Sequence, residues 1–266
     1  MFEAIGAPLV PSYVFYSRSD ALEWIENAQF PKVFKLRGGA GSLTVRLVRS
    51  KGEARRLVVK AFRRGFSQYD RLGDFQERIR RYREGKIKIQ LVVKGLARFL
   101  IPPEFARMHA NDKGYVYFQD FVPDNTCDIR VIVIAGRAFA IKRMVRKNDF
   151  RASGSGNIVY GKEHLPPGTI RLAFQLADKL QSQCAAFDFV YDSKGNPLVT
   201  EVSYGFIPAV YEPCVGYWDR SLIFHEGPFK PEDWMVEMMI DPQGQQGNEG
   251  DAIAPARRRT DDGTTC

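Results

Sequence analysis

A chain of 266 residues, 44% hydrophobic and 26% charged, can bury a core in one or two domains and has the balance of a globular protein. No apolar run is long enough to cross a bilayer, and residues 1–8 lack the basic-then-apolar order of a signal peptide, so membrane insertion is not expected. The net charge of +8 is concentrated: Arg46 to Arg98 holds 17 Lys/Arg against 5 Asp/Glu. Such a block can be a solvated helical face or attract an anion. No zinc finger, helix-turn-helix or aromatic stacking pattern accompanies it, so nucleic acid is not the expected partner.

The chain opens on a short strand over residues 11–16, and Ser17 with Asp20 at capping-box spacing starts a helix to Ala28. Residues 31–36 and 43–48 read as two strands flanking Gly38-Gly39-Ala40-Gly41-Ser42. Ser50 and Glu53 form a second capping box, opening a helix with Ala54, Leu57, Val58 and Ala61 on one face. Residues 63–110 are less regular, with an amphipathic helix expected over 71–84. Strands follow at 115–122, 128–134 and 138–145, the last two joined around Gly136-Arg137. Residues 149–156 are a Ser- and Gly-rich loop, and Leu172, Ala173, Leu176, Ala177 and Leu180 mark the inner face of a helix over 169–183. A segment with Trp218, Trp234 and several prolines ends near residue 240, and the polar remainder reads as a disordered tail.

Residues 185–203 form a predicted β-hairpin, two alternating runs around Ser193-Lys194-Gly195-Asn196. A turn symmetric about Lys194 and Gly195 places Asp188 opposite Glu201, with Ser203 two residues on and on the same face. Two facing carboxylates repel unless a cation sits with them; with a hydroxyl nearby they suit Mg²⁺ or Mn²⁺, or else they line the solvated face of an edge hairpin. In the strand at 128–134, Asp128 and Arg130 face one way, and a Gly136-Arg137 turn places Arg130 opposite Arg143. Facing guanidinium groups call for an anion such as a polyphosphate, or else the strand lies at the surface and its arginines point to water. Lys35 stands before the glycine loop, whose backbone N–H groups can cradle phosphate, and Gln119-Asp120-Phe121-Val122 closes a strand where backbone groups could read a base edge. The four cysteines are widely spaced with no metal-ligand pairing, which fits scattered reduced thiols. His109, His164 and His225 are isolated and read as surface or locally bonded residues.

The order of these features is more specific than any one of them. Lysine strand, glycine loop, strand-end hinge, Asp128-Ile-Arg130, Arg143 with Asp149-Phe-Arg151, then Asp188 and Glu201-Val-Ser203 resembles the ATP-grasp superfamily. The nearest resemblance is to RimK-type carboxylate–amine ligases, from Gly6 to about Tyr211. The run from Glu201 to Phe206, with Gly216 to Asp219 and His225 to Gly227, is more loosely similar to ATP-grasp proteins encoded with bacterial surface-polysaccharide genes.

The resemblance implies an α+β, ATP-grasp fold with ATP between two subdomains and without the usual preceding N-terminal domain. Residues 1–114 are expected as the subdomain with the glycine loop and a basic helical insertion, 115–240 as the subdomain with the metal-binding hairpin, and 241–266 as the tail. Lys35, Gly38, Gly39, Gly41 and Ser42 would hold phosphates; Gln119, Asp120, Phe121 and Val122 would bind adenine; Asp128 would lie near the ribose. Arg130, Arg143 and Arg151 would be the catalytic cations, and Asp188, Glu201 and Ser203 the ligands of Mg²⁺ or Mn²⁺. The implied reaction activates a carboxylate as an acyl phosphate and joins it to an amine, in surface-polysaccharide or amino-acid conjugate synthesis; a phosphotransferase or a non-catalytic nucleotide-binding module are the alternatives. The protein is expected in the cytoplasm, with small-molecule acid and amine substrates and a homodimer or a partner supplying the lead domain. The family pattern usually has Glu at the place of Asp120, Asn at that of Ser203, and Ser-Asn at that of Ala152-Ser153.

Overall fold

The structure, a computed structural model, describes residues 2–36, 45–67, 75, 78–80, 82–83, 85, 87–100, 111–146 and 149–240. The glycine loop, most of the helix expected over 71–84 and the tail 241–266 lie outside the described residues. The chain divides into two compact units, one of residues 11–121, the other of residues 1–10 with 122 onward.

The 11–121 unit carries an antiparallel sheet of β1 (Ser12–Phe15), β2 (Lys32–Lys35), β3 (Arg46–Val48) and β4 (Val116–Asp120), in the order β1-β4-β2-β3. Helices α1 (Arg18–Asn27) and α2 (Lys51–Arg63) begin at Ser17 and Ser50, whose hydroxyls accept from the Asp20 and Glu53 N–H groups, as the capping boxes predict. Their apolar faces (Ala21 and Ile25; Ala54, Val58 and Ala61) close over Phe34, Val48, Val116 and Phe118. A third helix, α3 (Ile89–Leu100), forms where the sequence reading saw no regular element.

The boundary differs from the expected 114/115 because β4 hydrogen-bonds to β1 and β2, so residues 115–121 stay with the first sheet. Residues 8–10 instead join the second unit: Val10 N–H donates to the Val199 carbonyl at 3.1 Å and Val199 N–H to that of Pro8 at 2.8 Å.

The second unit is built on an antiparallel sheet of β5 (Cys127–Ile134), β6 (Arg137–Met144), β8 (Cys184–Tyr191), β9 (Pro197–Ser203), β10 (Gly216–Asp219) and β11 (Phe224–Glu226). Its order is β11-β10-β6-β5-β8-β9, with β7 (Ile158–Val159) paired to β6. One face packs Ile129, Val131, Phe187 and Phe189 against Ile170, Ala173, Phe174 and Ala177 of α4 (Pro167–Lys179). The other face is divided along its strands. At one end Ile132, Ile134, Phe139 and Ile141 are covered by Tyr211 and by Trp234 and Met238 of α5 (Pro231–Ile240). At the other end the same face is polar. Cys184 and Cys214 carry free thiols.

Candidate active site

The polar end of that face is fixed by strand register. Arg130 of β5 pairs with Asp188 of β8, Asp188 with Glu201 of β9, and Asp128 of β5 with Arg143 of β6. Side chains directly across antiparallel strands share a face, so β5, β6, β8 and β9 all contribute to one cluster.

The Asp188–Glu201 pairing is as expected, but a compensating irregularity produces it. Near the turn the register is Tyr191 with Pro197 and Phe189 with Val199, one residue out of step with a turn centred between Lys194 and Gly195. Asp192 closes the loop, its Oδ1 accepting from Lys194 N–H at 2.9 Å and Asn196 N–H at 2.8 Å. Continued regularly, that register would set Thr200 against Asp188. A β-bulge after Asp188 takes Thr200 out of step, its hydroxyl donating to the Asp188 carbonyl at 3.1 Å, and Glu201 comes opposite.

The expected pairing of Arg130 with Arg143 is corrected. The β5–β6 hairpin turns on Ala135 and Gly136, not on Gly136 and Arg137. Both residues have positive φ, +50° and +75°, as a two-residue type I′ turn requires. The two-residue shift leaves every face unchanged but exchanges partners: Arg130 faces Ile141, and Arg143 faces Asp128.

The result is a buried charge network. Arg143 grips Asp128 in a fork, Nε to Oδ1 at 2.6 Å and Nη2 to Oδ2 at 2.7 Å. Its Nη2 also lies 3.0 Å from Asp188 Oδ2, to which Arg130 Nη1 donates at 3.1 Å. Arg130 Nη2 donates to the Ser203 hydroxyl at 2.6 Å, and that hydroxyl donates to the Gly205 carbonyl at 3.2 Å. Asp128, Arg143 and Asp188 are all buried, whereas Glu201 is exposed. Burial pushes the Asp128 carboxyl up to about 6, Arg143 pulling the other way and Asp188 adding like-charge repulsion. Desolvation disfavours the Arg143 charge, but Asp188 and Asp128 outweigh it and hold its pKa above the ordinary value. One guanidinium is thus shared by two carboxylates. The Tyr211 phenol nearby is pushed up to about 12, chiefly by burial.

Two atoms of this network have no hydrogen-bond partner although buried: Asp188 Oδ1 and Arg130 Nε. An acceptor and a donor left unsatisfied in one site each cost about 1–3 kcal/mol unless something fills them. Among the described residues no group of three or more His, Cys, Asp or Glu is placed around a metal position. Among the described residues, the carboxylate oxygens on this face that a cation could take are Asp188 Oδ1 and those of Glu201. Two hard oxygens fit Mg²⁺, which commonly takes one or two carboxylates and leaves its other positions to water and phosphate. Ser203 already accepts from Arg130, so its hydroxyl is a weaker ligand than expected.

Arg151 forks onto Asp149 two residues earlier, Nε at 3.0 Å from each oxygen and Nη2 at 2.7 Å from Oδ2. Burial works against the Asp149 charge, yet the Arg151 bonds hold its carboxyl below the usual range. In the 11–121 unit, Lys35 ends β2, and buried Gln119 donates from Nε2 to Ser12 Oγ at 3.1 Å and Tyr117 Oη at 3.2 Å. Asp120 ends β4 in a 2.5 Å ion pair with buried Lys32, its register partner, and its N–H donates to the Pro11 carbonyl at 2.8 Å. Phe121 and Val122 follow the strand, half-buried. Gly38, Gly39, Gly41 and Ser42 lie outside the described residues. Sequence reasoning missed Lys32; its place opposite Asp120, 88 residues on, depends on a pairing of distant strands for which the chain carries no local signal.

A comparison with protein families matches the segment that contains this network. Residues 106–205 match the RimK-like ATP-grasp domain. The match holds Asp128, Arg130, Arg143, Asp188, Glu201 and Ser203 and leaves Lys35 and the glycine loop outside. No curated protein matches the chain. The chain also has remote similarity to solved structures, an ATP-grasp protein among them. The biotin carboxylase domain of Hydrogenobacter thermophilus 2-oxoglutarate carboxylase, solved with MgADP, ADP and bicarbonate, is 13% identical, with 77% of this chain and 38% of that one covered and a TM-score of 0.47. A RimK domain ATP-grasp protein from Sphaerobacter thermophilus is 16% identical, with 76% and 54% covered and a TM-score of 0.39. N5-carboxyaminoimidazole ribonucleotide synthetase with ADP is 15% identical, with 82% and 46% covered and a TM-score of 0.47. The chain thus spans about half the length of these structures or less. Two antiparallel sheets, each with its own helices, agree with an ATP-grasp fold.

Proposed function

We propose that this chain is an ATP- and Mg²⁺-dependent ligase that activates a carboxylate as an acyl phosphate and joins it to an amine. The observation that carries the reading is the pair of unsatisfied buried atoms, Asp188 Oδ1 and Arg130 Nε, in a network of two carboxylates and two guanidinium groups. A ligand that brings a cation and an anion together fills both, and a metal–nucleotide phosphate is such a ligand. The RimK-like ATP-grasp match over the same residues supports it.

Asp188 and Glu201 would hold Mg²⁺, which when bound neutralises phosphate charge and orients it. Arg130, whose Nε is unpaired, and Arg143, fixed by Asp128, would present positive charge to the γ-phosphate. In the first step a carboxylate oxygen of the substrate forms a bond to the γ-phosphorus as the bridging P–O bond breaks, and ADP leaves. In the second the amine lone pair attacks the acyl carbon, phosphate leaves, and the amine gives up a proton. Positioning and charge stabilisation suffice for both, so the absence of a histidine from the network among the described residues is no obstacle. The nucleotide-binding roles of Lys35, Gly38, Gly39, Gly41, Ser42 and Gln119 to Val122, and the catalytic role of Arg151, belong to the same proposal.

A non-catalytic nucleotide-binding module is the second reading, favoured by the hold of Arg130 on Ser203. The two separate in one assay. ADP and phosphate release that requires both an acid and an amine, and that is lost in Asp188→Asn, supports the ligase. Nucleotide binding without turnover across panels of acids and amines supports the module.

A further inference from the structure

Helix α3 turns large apolar side chains toward solvent. Ile89, Val93 and Leu96 are 51%, 61% and 58% exposed, and their i, i+4, i+7 spacing stacks them in one stripe. The packed side of the helix is elsewhere. Gly95 is buried, and a Cβ there would meet Arg78 Cδ at 2.6 Å and the Phe75 ring at 3.4 Å. Arg78 Nη1 also donates to the Leu91 carbonyl at 3.3 Å. A surface helix of a globular protein normally buries its apolar stripe and shows polar residues to water. Here the stripe faces out and a glycine lets the other side pack closely.

The charge around the stripe selects what can cover it. From Lys86 to Arg98 the chain carries four basic residues and no acidic one. Lys88 and Lys94, each next to a stripe residue, are exposed. A second copy of the same face would set lysines against lysines. A nucleic acid backbone would satisfy the lysines but leave the apolar stripe in water. An anionic lipid surface satisfies both, since acyl chains take the apolar side chains and headgroup phosphates the ammonium groups.

We propose that α3 docks the protein on an anionic membrane surface, lying in the headgroup plane with Ile89, Val93 and Leu96 directed into the bilayer. It does not cross. No helix among the described residues is long and apolar enough to do so, and twelve residues of helix reach only about 18 Å. A membrane-bound or lipid-proximal acceptor would then be presented to the protein at a surface rather than in bulk solution.

The test is co-sedimentation of the full chain with vesicles of phosphatidylcholine, with and without phosphatidylserine. Binding is expected only with phosphatidylserine and should fall as salt is raised. Replacing Lys88 and Lys94 by Gln should weaken it about fivefold per lysine, the equivalent of about 1 kcal/mol for each basic residue at an anionic surface. The Ile89→Ser/Val93→Ser/Leu96→Ser variant, changed only at exposed positions, should melt as the wild type does and lose vesicle binding. If that variant unfolds, the Lys88→Gln/Lys94→Gln pair decides alone. Failure of the wild type to sediment with either vesicle overturns the proposal, as does binding that both variants keep. A concentration-dependent dimer abolished by the serine variant would assign the face to a second copy instead. Nucleotide turnover is a separate readout, so failure here leaves the ligase reading standing.

Discussion

Replacing Arg143 by Met removes the hub of the charge network while keeping side-chain length. Arg143 is 9% exposed at its side chain and makes a two-bond fork to Asp128 and a 3.0 Å ion pair to Asp188. Without it, Asp128 loses both charge-assisted bonds and Asp188 keeps only Arg130. Breaking a buried ion pair by removing one partner costs about 3–5 kcal/mol, because the other charge stays buried. In a protein of this size 1 kcal/mol moves the melting temperature by about 2–4 °C, so a drop of about 6–20 °C is expected. Urea unfolding at pH 7 gives the free energy directly. Adding Asp128→Asn should recover part of the loss, with a coupling of about 1–3 kcal/mol in the double-mutant cycle. A loss below about 1 kcal/mol, the range of exposed pairs, would refute the reasoning by showing that the network is solvated.

Acidification should stabilise the fold through Asp128. Its folded pKa of about 6 lies above the ordinary carboxylate value, so the folded state binds the proton more tightly. That contribution, about 3 kcal/mol, is full below about pH 4 and lost as pH rises through 6, and Asp128→Asn should remove it. Urea unfolding from pH 4 to 7 checks this; equal slopes in wild type and variant would contradict it. Gly136→Ala should cost about 1–2 kcal/mol, since φ is +75° there and a Cβ would meet Arg220 Nε at 2.7 Å. A melt unchanged from wild type would count against the type I′ turn.

The sequence was most readable where a pattern is local. Ser17–Asp20 and Ser50–Glu53 started helices where capping chemistry says they should, and period-two alternation placed Asp128, Arg130 and Arg143 on one face of their hairpin and Asp188 and Glu201 on one face of theirs; that the two faces are one follows from the pairing of β5 with β8. What it did not reveal was who faces whom. Gly136-Arg137 and Ala135-Gly136 are both acceptable two-residue turns, and they differ by a shift of two that preserves the face while exchanging Arg130 for Asp128 opposite Arg143. The Asp188–Glu201 pairing was reached although the register at the turn is one residue out of step with the expected one, because the bulge at Thr200 restores it. The exposed stripe on α3 was invisible for a different reason: helical periodicity marks an apolar face but does not say whether anything covers it.

The central claim is that the buried Asp128–Arg143–Asp188–Arg130 network, with Glu201 at its edge, is a site for a metal–nucleotide phosphate. Isothermal titration with ATP, with and without Mg²⁺, tests it most directly in the wild type and in Glu201→Gln. The substitution is isosteric and exposed, so stability should stay within about 0.5 kcal/mol of wild type. Mg²⁺ is expected to tighten ATP binding in the wild type and to do so no longer in Glu201→Gln. Absence of ATP binding by the wild type, or an undiminished Mg²⁺ effect in the variant, would contradict it.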